Sequence, residues 1–386
     1  MSEDCNNYHC YEDETKLILA KNIQSSDCKF VNPPIYRGST ILFDNYESMK
    51  DDTAKYVYGR WATPTSDIFC ETMAKLEGGA GTIVTCSGLA AITTTLLALV
   101  SPGSHILISE SSYPGALNFS NKILVDFNVI VESFSTDDAQ LLYKKIRPNT
   151  ALIYIDMPGN YGRDIFDLGS LRKQIDNIPI IVDNTWATLF YYNPIKFGAD
   201  IVIHSVSKYI AGHSDSIMGC IVFKSEDMYL KVRDVSRKFG QYAGADDLNL
   251  ALRGLKTLSV RMKQHYNSAL KVANWLLQQN EVERVLYPPL KSAENHIYWA
   301  QQFRGGGGLL SFIFRSKPEE NYVKFLNYLK IINLGWGWGG YESLASASTI
   351  NCGDDIGRIA IRLSIGLEAT CDIINDLQAS FNEAFS

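Results

Sequence analysis

Residues 178–209 read IPIIVDNTWATLFYYNPIKFGADIVIHSVSKY and contain two short, largely apolar runs, 178–182 and 200–203. A run that is apolar throughout, rather than at every second residue, is typical of a strand buried on both faces. Helical segments between such runs indicate that neighbouring strands are parallel. This stretch therefore predicts part of a parallel sheet with helices on both faces.

The same alternation extends outward from this stretch, over residues 66 to 255. Further strands are predicted at 82–85, 105–108, 129–131 and 151–155, and helices at 67–75 and 89–100. From residue 256 onward the strands become fewer, with helices predicted at 258–279, 322–331 and 372–385 and strands at 309–314 and 359–363. The sequence thus predicts an N-terminal arm over 1–60, a cofactor domain over 61–255 and a smaller C-terminal α/β domain over 256–386.

Composition excludes several classes of protein. The 386 residues carry 36 basic and 42 acidic side chains, a net charge of −6, which lacks the positive charge that nucleic-acid binding needs. No stretch approaches the roughly 18 apolar residues that would span a membrane. Without a secretory leader or a CxxC pair, the eight cysteines are expected to be reduced thiols in a cytoplasmic protein. Cys5, His9 and Cys10 are expected to belong to a polar tail, and no metal site is predicted.

Small and polar residues follow several of the predicted strands, where parallel sheets bind ligands. Gly88 and Leu89 begin a helix, so their amides form either a phosphate site or an ordinary tight turn. Tyr113 on the next loop either stacks on a flat ligand or packs. Asn160 is in a segment with the composition of a turn.

The opening stretch adds a carboxylate, hydroxyls and an amine to this group. Asp183 ends an apolar strand, where a carboxylate needs a cationic partner. Ser205 and Ser207 precede Lys208, which is either a surface residue or a reactive amine with a lowered pKa. A phosphate cradle, a stacking ring, an acidic partner for a pyridine nitrogen and a lysine that bonds to an aldehyde are together what pyridoxal 5'-phosphate requires. The set favours that cofactor.

Recognisable motifs are spread in order over almost the whole chain. They are NPP at 32–34, YVYGR at 56–60, LEGG at 76–79, VDNTW at 182–186, SVSKY at 205–209, GHSD at 212–215, RGLKTL at 253–258, GGYESL at 339–344 and RLSIGLE at 362–368. With these motifs the chain resembles the Cys/Met-metabolism family of pyridoxal-phosphate enzymes, and within that family it looks most like bacterial cystathionine β-lyases.

The resemblance implies a fold-type I enzyme with a mainly parallel seven-stranded sheet, assembled as a dimer of dimers. It implies cofactor-binding roles for Lys208, Asp183, Tyr113, Ser205, Ser207, Gly88, Leu89, Tyr58, Arg60, Thr185 and Asn160. Tyr58 and Arg60 would reach the phosphate bound by a neighbouring subunit. Lys208, Tyr113 and Tyr58 are the implied catalytic residues, and Arg362, Gly337 and Trp338 the implied substrate-binding residues.

The activity implied by the resemblance is α,β-elimination on L-cystathionine or a related cysteine S-conjugate, which gives homocysteine or another thiol, pyruvate and ammonia. One departure bears on it: Trp336-Gly337 stands where the β-lyases usually carry a Tyr-Ser pair, so that hydroxyl is absent. Two alternatives stay open. The first is γ-elimination or γ-replacement on a homoserine or homocysteine derivative, and the second is a non-catalytic binding protein.

Overall fold

The computed structural model describes residues 11–19, 30–51, 53–135, 139–162, 165–315, 318–351 and 353–385. The strands are β1 (Gly81–Thr85), β2 (His105–Ser109), β3 (Ile130–Phe134), β4 (Thr150–Asp156), β5 (Ile180–Asp183), β6 (Ile201–Ser205), β7 (Gly219–Phe223), β8 (Val282–Leu286), β9 (Leu309–Phe314), β10 (Asn333–Leu334), β11 (Leu344–Thr349) and β12 (Ile359–Ser364). The helices are α1 (Asp13–Leu19), α2 (Tyr46–Met49), α3 (Pro64–Glu77), α4 (Gly88–Leu99), α5 (Pro114–Asn118), α6 (Ala139–Lys145), α7 (Leu168–Gln174), α8 (Thr188–Tyr191), α9 (Glu226–Lys238), α10 (Ala245–Leu276), α11 (His296–Gln302), α12 (Glu319–Tyr328) and α13 (Thr370–Phe385).

Seven strands form the first sheet, in the order β1-β7-β6-β5-β4-β2-β3. All pairs from β6 to β3 are parallel, and β7 is antiparallel to both of its neighbours. Thr85 and Ser205 both lie opposite Gly219, so the carboxyl ends of β1 and β6 meet at one edge of the sheet. The predicted parallel seven-stranded sheet is confirmed, with β7 as its one antiparallel member.

Both faces of this sheet are covered, which explains its uninterrupted apolar runs. Val182 and Val202 pack into one apolar cluster together with Leu255 of α10. Ile181 and Ile203, the alternate residues, pack into a second cluster together with Leu96 of α4. Because successive side chains of a strand point to opposite faces, a strand between two helical layers must be apolar at every position.

Five strands form the second sheet, in the order β10-β11-β12-β9-β8. It is antiparallel except for the pair β10–β11. Helices α12 and α13 pack through Phe325 and Phe381, whose rings contact Phe312 of β9. Arg362 lies on the central strand β12, and that position brings it toward the first sheet.

Several elements differ from the sequence-based expectation. Strands β7, β8, β10 and β11 were not predicted, and neither were the bounds of helices α1, α2, α5 to α9 and α11. Helix α10 begins at Ala245 rather than at residue 258. Gly254 is a poor helix former, yet its backbone packs against the carbonyl oxygens of Ile210 and Ala211, where a Cβ would collide. Tertiary packing therefore extends this helix through a residue whose own preference opposes it.

The four cysteines in the described part of the chain, Cys70, Cys86, Cys220 and Cys371, are free thiols. Cys5, His9, Cys10, Cys28 and Cys352 lie outside the described residues. In the part that is described, no group of His, Cys, Asp and Glu side chains has the arrangement of a metal site. No helix in this same part combines the length and the apolar character needed to cross a bilayer.

Candidate active site

Lys208 lies just after β6, in the turn formed by residues 206–212, which we call the lysine turn. Its amide donates to Ser205 O at 3.1 Å, and its carbonyl accepts from the Gly212 amide at 2.7 Å. The Nζ atom faces the indole of Trp338, 5.5 Å from the ring centroid. Burial, and secondarily the charge of Arg362, lower the pKa of Lys208. The turn therefore holds a half-buried amine at the ligand-binding edge of the sheet.

Asp183 ends β5 and is only 6% exposed. Its Oδ1 accepts from the Thr185 amide at 3.0 Å and from the Thr185 hydroxyl at 2.5 Å, and its Oδ2 accepts from the Tyr154 hydroxyl at 3.3 Å. Burial raises the pKa of Asp183, while the bonds from Thr185 and the charge of His204 act in the opposite direction. No Lys or Arg of the described residues forms an ion pair with it, so the carboxylate is oriented by neutral donors.

Thr185 links the carboxylate to the neighbouring strand. Its hydroxyl oxygen accepts from the Ser205 amide at 2.9 Å while its proton goes to Asp183. Tyr154, on the neighbouring strand β4, supplies the other donor to Asp183. Sequence reasoning missed Tyr154, although a tyrosine inside an apolar strand requires a polar partner and could have been found by that signal.

The N-terminus of α4 approaches the end of β6. The Ser87 hydroxyl accepts from the Ala90 amide at 3.0 Å, which leaves the preceding amides of Gly88 and Leu89 in the first turn, where no intrahelical acceptor exists. A Cβ on Gly88 would lie 2.6 Å from Ser205 Oγ. The Ser207 hydroxyl exchanges hydrogen bonds with the Met218 backbone, at 3.1 Å to its oxygen and 3.0 Å from its nitrogen. Gly88, Leu89 and Ser205 thus surround one small cradle.

Tyr113 and Asn160 are in loops at the same edge. The Tyr113 amide donates to Asp156 Oδ2 at 2.8 Å, which anchors the residue to the end of β4. The residue is 45% exposed, and its ring lies against Gly115, where a Cβ would collide with it. The Asn160 amide donates to Ser111 O at 2.7 Å. Both loops are therefore fixed through backbone bonds, and the Tyr113 ring remains accessible to a ligand.

Arg362 reaches this edge from the second sheet. Its guanidinium donates from Nη1 to Asn160 Oδ1 at 3.4 Å and from Nη2 to Trp336 O at 3.0 Å. Burial lowers the pKa of Arg362, and the nearby hydroxyls of Tyr161 and Tyr113 act in the opposite direction. The bond to Asn160 brings two sequence-predicted residues together across the two sheets.

Trp338 and Gly337 are in the segment that follows β10. The Trp338 indole packs edge-on against Tyr209, with centroids 5.5 Å apart, and faces Lys208. Gly337 is exposed, and a Cβ there would meet only Leu344 Cδ1, at 3.7 Å. The open space at Gly337 would accept a side chain without strain.

Tyr58 and Arg60 lie apart from these residues. Arg60 donates from Nη1 to Arg237 O at 3.1 Å, and its guanidinium lies 5.7 Å from the centroid of the Tyr58 ring. Both line an open groove of about 520 Å³ that also contains Tyr242 and Asp246. In the described part of the chain, no hydrogen bond or ion pair joins Tyr58 or Arg60 to any other predicted site residue.

Sequence reasoning also missed the side chain that supports the lysine turn. Arg261 of α10 is 5% exposed and donates to Tyr209 O at 2.7 Å, Ile210 O at 3.3 Å and Gly254 O at 2.8 Å. Burial lowers the pKa of Arg261 to about 10. An arginine on the buried, apolar face of a predicted helix was the available signal, because a buried guanidinium requires several acceptors.

These features fit pyridoxal 5'-phosphate. The Gly88–Ser205 cradle combines helix-terminal amides with a hydroxyl, which suits a phosphate. A buried carboxylate held by neutral donors suits a protonated ring nitrogen, and a half-buried amine with a lowered pKa suits bonding to an aldehyde. Tyr113 is 45% exposed, so its ring is accessible to a flat ligand.

The fold and this donor set define a pyridoxal-phosphate enzyme of fold-type I. Residues 14–382 match the family described as Cys/Met metabolism PLP-dependent enzyme. The chain belongs to that family.

Its relatives include lyases and synthases of cystathionine. The chain is 36% identical over 365 residues to a putative cystathionine β-lyase of Rhizobium johnstonii, a match that covers 92% of both chains. It is 33% identical over 386 residues to a cystathionine β-lyase of Escherichia coli, covering 95% of this chain and 98% of that protein. The crystal structure of cystathionine γ-synthase from Xanthomonas oryzae pv. oryzae, in complex with aminoacrylate and cysteine, matches with a TM-score of 0.90 at 28% identity, covering 97% and 98% of the two chains.

Proposed function

We propose that this protein is a pyridoxal-phosphate-dependent carbon–sulfur β-lyase. Its substrate is L-cystathionine or a related cysteine S-conjugate, which reacts with water to give a thiol, pyruvate and ammonia; from cystathionine the thiol is homocysteine. The observation that carries the proposal is the convergence of the Lys208 amine, the Asp183 carboxylate and the Arg362 guanidinium at one edge of the first sheet. The names of the β-lyase relatives support this choice of reaction.

Arg362 binds and orients the substrate in this proposal. A guanidinium presents paired N–H groups that match the two oxygens of an α-carboxylate. Asn160 and the Trp336 carbonyl already accept from Nη1 and Nη2, so they fix the plane of the guanidinium before substrate arrives. Trp338 and the open space at Gly337 are proposed to border the substrate.

Lys208 is the proposed base. Its lowered pKa increases the fraction of neutral amine near neutral pH, and neutral Nζ is able to accept the proton from the substrate Cα. When bound here, pyridoxal phosphate supplies an electron sink for the charge left at that carbon. Asp183 would hold a proton at the ring nitrogen, and Thr185 and Tyr154 keep its carboxylate in place for that task.

The remaining predicted residues would bind the cofactor. Gly88, Leu89, Ser205 and Ser207 are proposed to hold the phosphate. Tyr113 is proposed to stack on the ring and to act in catalysis. Its loop is anchored to Asp156, which supports a fixed position for the ring.

Assembly is proposed from the groove that Tyr58 and Arg60 line. Both side chains are away from the other site residues, which supports roles in a neighbouring subunit's site and therefore a homo-oligomer, a dimer of dimers. We propose a cytoplasmic enzyme divided into 1–60, 61–255 and 256–386. The two sheets, confined to residues 81–223 and 282–364, support this division, although helix α10 crosses the proposed boundary at 255.

The second candidate is γ-elimination or γ-replacement on a homoserine or homocysteine derivative. The absence of a side chain at Gly337 favours it, because the β-lyases usually carry a serine hydroxyl at that position. The similarity to a solved cystathionine γ-synthase supports it as well. Pyruvate as the keto-acid product indicates the β-reaction, and 2-oxobutyrate the γ-elimination.

A panel of sulfur amino acids, assayed for thiol and keto acid, tests the function. The holoenzyme should release pyruvate from cystathionine or an S-conjugate. Lys208→Ala should abolish this turnover, whereas Lys224→Ala, which changes an exposed lysine beyond β7, should not. Full turnover by the Lys208→Ala protein, or absence of pyruvate across the whole panel, would overturn the proposal.

A further inference from the structure

We infer that Trp338 is a positioning residue for Lys208, whose protonated amine it holds through the face of its indole ring. The inference rests on the proposed function only in that Lys208 is taken as the base. It concerns the amine itself, so it is measurable on the chain without cofactor or substrate.

The geometry around the amine carries the inference. The Lys208 Nζ atom lies 5.5 Å from the Trp338 ring centroid, within the range of a cation–π interaction. Among the described residues, this Nζ atom has no hydrogen-bond or ion-pair partner. The carboxylates that end β5 and β4 are otherwise engaged, since Asp183 accepts from Thr185 and Tyr154 and Asp156 accepts from the Tyr113 amide. The indole is therefore the one attractive partner that the described residues offer to this cation.

The indole is itself held firmly. Its edge packs on Tyr209, and the next residue, Gly339, has a positive φ of 82°. A Cβ at Gly339 would lie 2.9 Å from Tyr209 N and 3.1 Å from the Lys208 carbonyl carbon, so the two backbones are in direct contact. The Gly339 amide donates to Ser364 Oγ at 3.3 Å. The segment that carries Trp338 is thus seated on the lysine turn.

Gly337 and Arg362 give the ammonium form of Lys208 no support. Gly337 has no side chain, and the charge of Arg362 disfavours the ammonium form. A base that takes a proton from carbon becomes an ammonium ion, which must be stabilised in a partly dry site. The face of a tryptophan ring stabilises the ammonium ion and adds no hydrogen-bond acceptor that would bind the neutral amine.

The alternative is that Trp338 is only an apolar wall. The two roles shift the pKa of Lys208 in opposite directions. A wall disfavours the ammonium form, so its removal raises the pKa of Lys208 or leaves it unchanged. A cation–π partner favours the ammonium form, so loss of its ring lowers the pKa. Trp338→Leu removes the ring. Leucine is smaller than tryptophan and any burial lost with the ring acts to raise the pKa, so a fall in the pKa reports the loss of the ring face.

The experiment titrates Lys208 in the apoprotein by competitive acetylation with acetic anhydride across pH, followed by mass spectrometry. Lys224, exposed beyond β7, is the internal reference in every sample. In Trp338→Leu the pKa of Lys208 should fall by about 0.5 to 1. In Trp338→Phe, which keeps a weaker ring face, it should fall by less.

Tetrafluorotryptophan at position 338 provides a variant that keeps the shape of the native side chain. Fluorine withdraws electron density from the ring face, so the pKa of Lys208 should again fall while the melting temperature stays unchanged. This variant decides between the two roles, because it leaves the burial of the amine unchanged. An unchanged or raised pKa of Lys208 in the tetrafluorotryptophan variant would overturn the inference, whereas loss of lyase activity alone would bear only on the proposed function.

Discussion

Gly88→Ala tests the phosphate cradle with the smallest possible change. The added Cβ would lie 2.6 Å from both Cβ and Oγ of Ser205 and 3.0 Å from its Cα, against an ordinary contact of 3.4–4 Å. Ser205 lies on β6, which pairs with β5 on one side and β7 on the other. Moving its Cα away would therefore disturb the hydrogen bonds of the sheet. Helix α4 must then shift by several tenths of an ångström, which moves its amides away from the hydroxyl.

The expected cost follows from that displacement. Forcing one extra methyl into a tightly packed contact costs about 1–3 kcal/mol. Where the shift opens the cradle, the same energy appears as a loss of cofactor affinity of about 10-fold or more. Titration of the apoprotein with pyridoxal phosphate, followed by absorbance, measures the Kd, and a thermal melt of the apoprotein measures any cost to stability.

Gly169→Ala in helix α7 is the matched control. A Cβ there would meet only Asp167 Oδ1, at 3.6 Å, so this substitution should leave the affinity unchanged and should not lower the melting temperature. A Gly88→Ala protein with the affinity of the native protein would refute the assignment of this cradle to the phosphate. A drop in melting temperature with native affinity would count against it equally, because the strain would then lie elsewhere.

Three further perturbations test other contacts. Glu77→Ala removes the partner of the buried His204, whose Nε2 lies 2.6 Å from Glu77 Oε1, and should lower the free energy of unfolding in urea by about 3–5 kcal/mol. The control Glu71→Ala changes a side chain that is 60% exposed and should lower the free energy of unfolding by less than about 1 kcal/mol. Equal losses in the two variants would contradict this prediction. Burial lowers the pKa of His265 to about 4 from the 6.5 of an unfolded chain, so the unfolded chain binds the proton first. The contribution of His265 to the free energy of unfolding is fully present above pH 6.5 and is lost by up to about 3 kcal/mol as the pH falls toward 4. In urea melts run across this range, His265→Gln should remove this part of the pH dependence. Arg362→Lys keeps the charge but loses the paired donors, so kcat/KM should fall by about 10-fold or more, and an unchanged kcat/KM would place the carboxylate elsewhere.

Much of the first sheet could be predicted from sequence, because short apolar runs of neighbouring residues mark its strands. The runs at 82–85, 105–108, 151–155 and 200–203 are apolar because helices cover both faces, and each overlaps an observed strand. Strand 309–314 was placed with its observed bounds. Lys208, Asp183 and Arg362 belong to contiguous sequence motifs that resemble those of the family, so these residues could be predicted without coordinates.

The missed elements share a different property. Strand β8 reads VERVL, in which two adjacent charged residues interrupt the apolar pattern, and β7 is an antiparallel strand inserted into an otherwise parallel sheet. Helix α10 runs through Gly254 because the lysine turn packs there, a contact between distant parts of the chain. No window of neighbouring residues contains that information.

The sequence by itself determined the fold class and the cofactor, and it predicted the reactive residues, because periodicity, apolar runs and contiguous motifs are properties of neighbouring residues. Only the tertiary structure decided how those residues meet. Arg362 and Asn160 are 202 residues apart and share a hydrogen bond, and Arg261 supports the Tyr209 carbonyl from 52 residues away. The indole of Trp338 faces the Lys208 amine because Gly339 allows two backbones to touch. Such contacts depend on how the two sheets and their helices pack, which is a property of the whole folded chain.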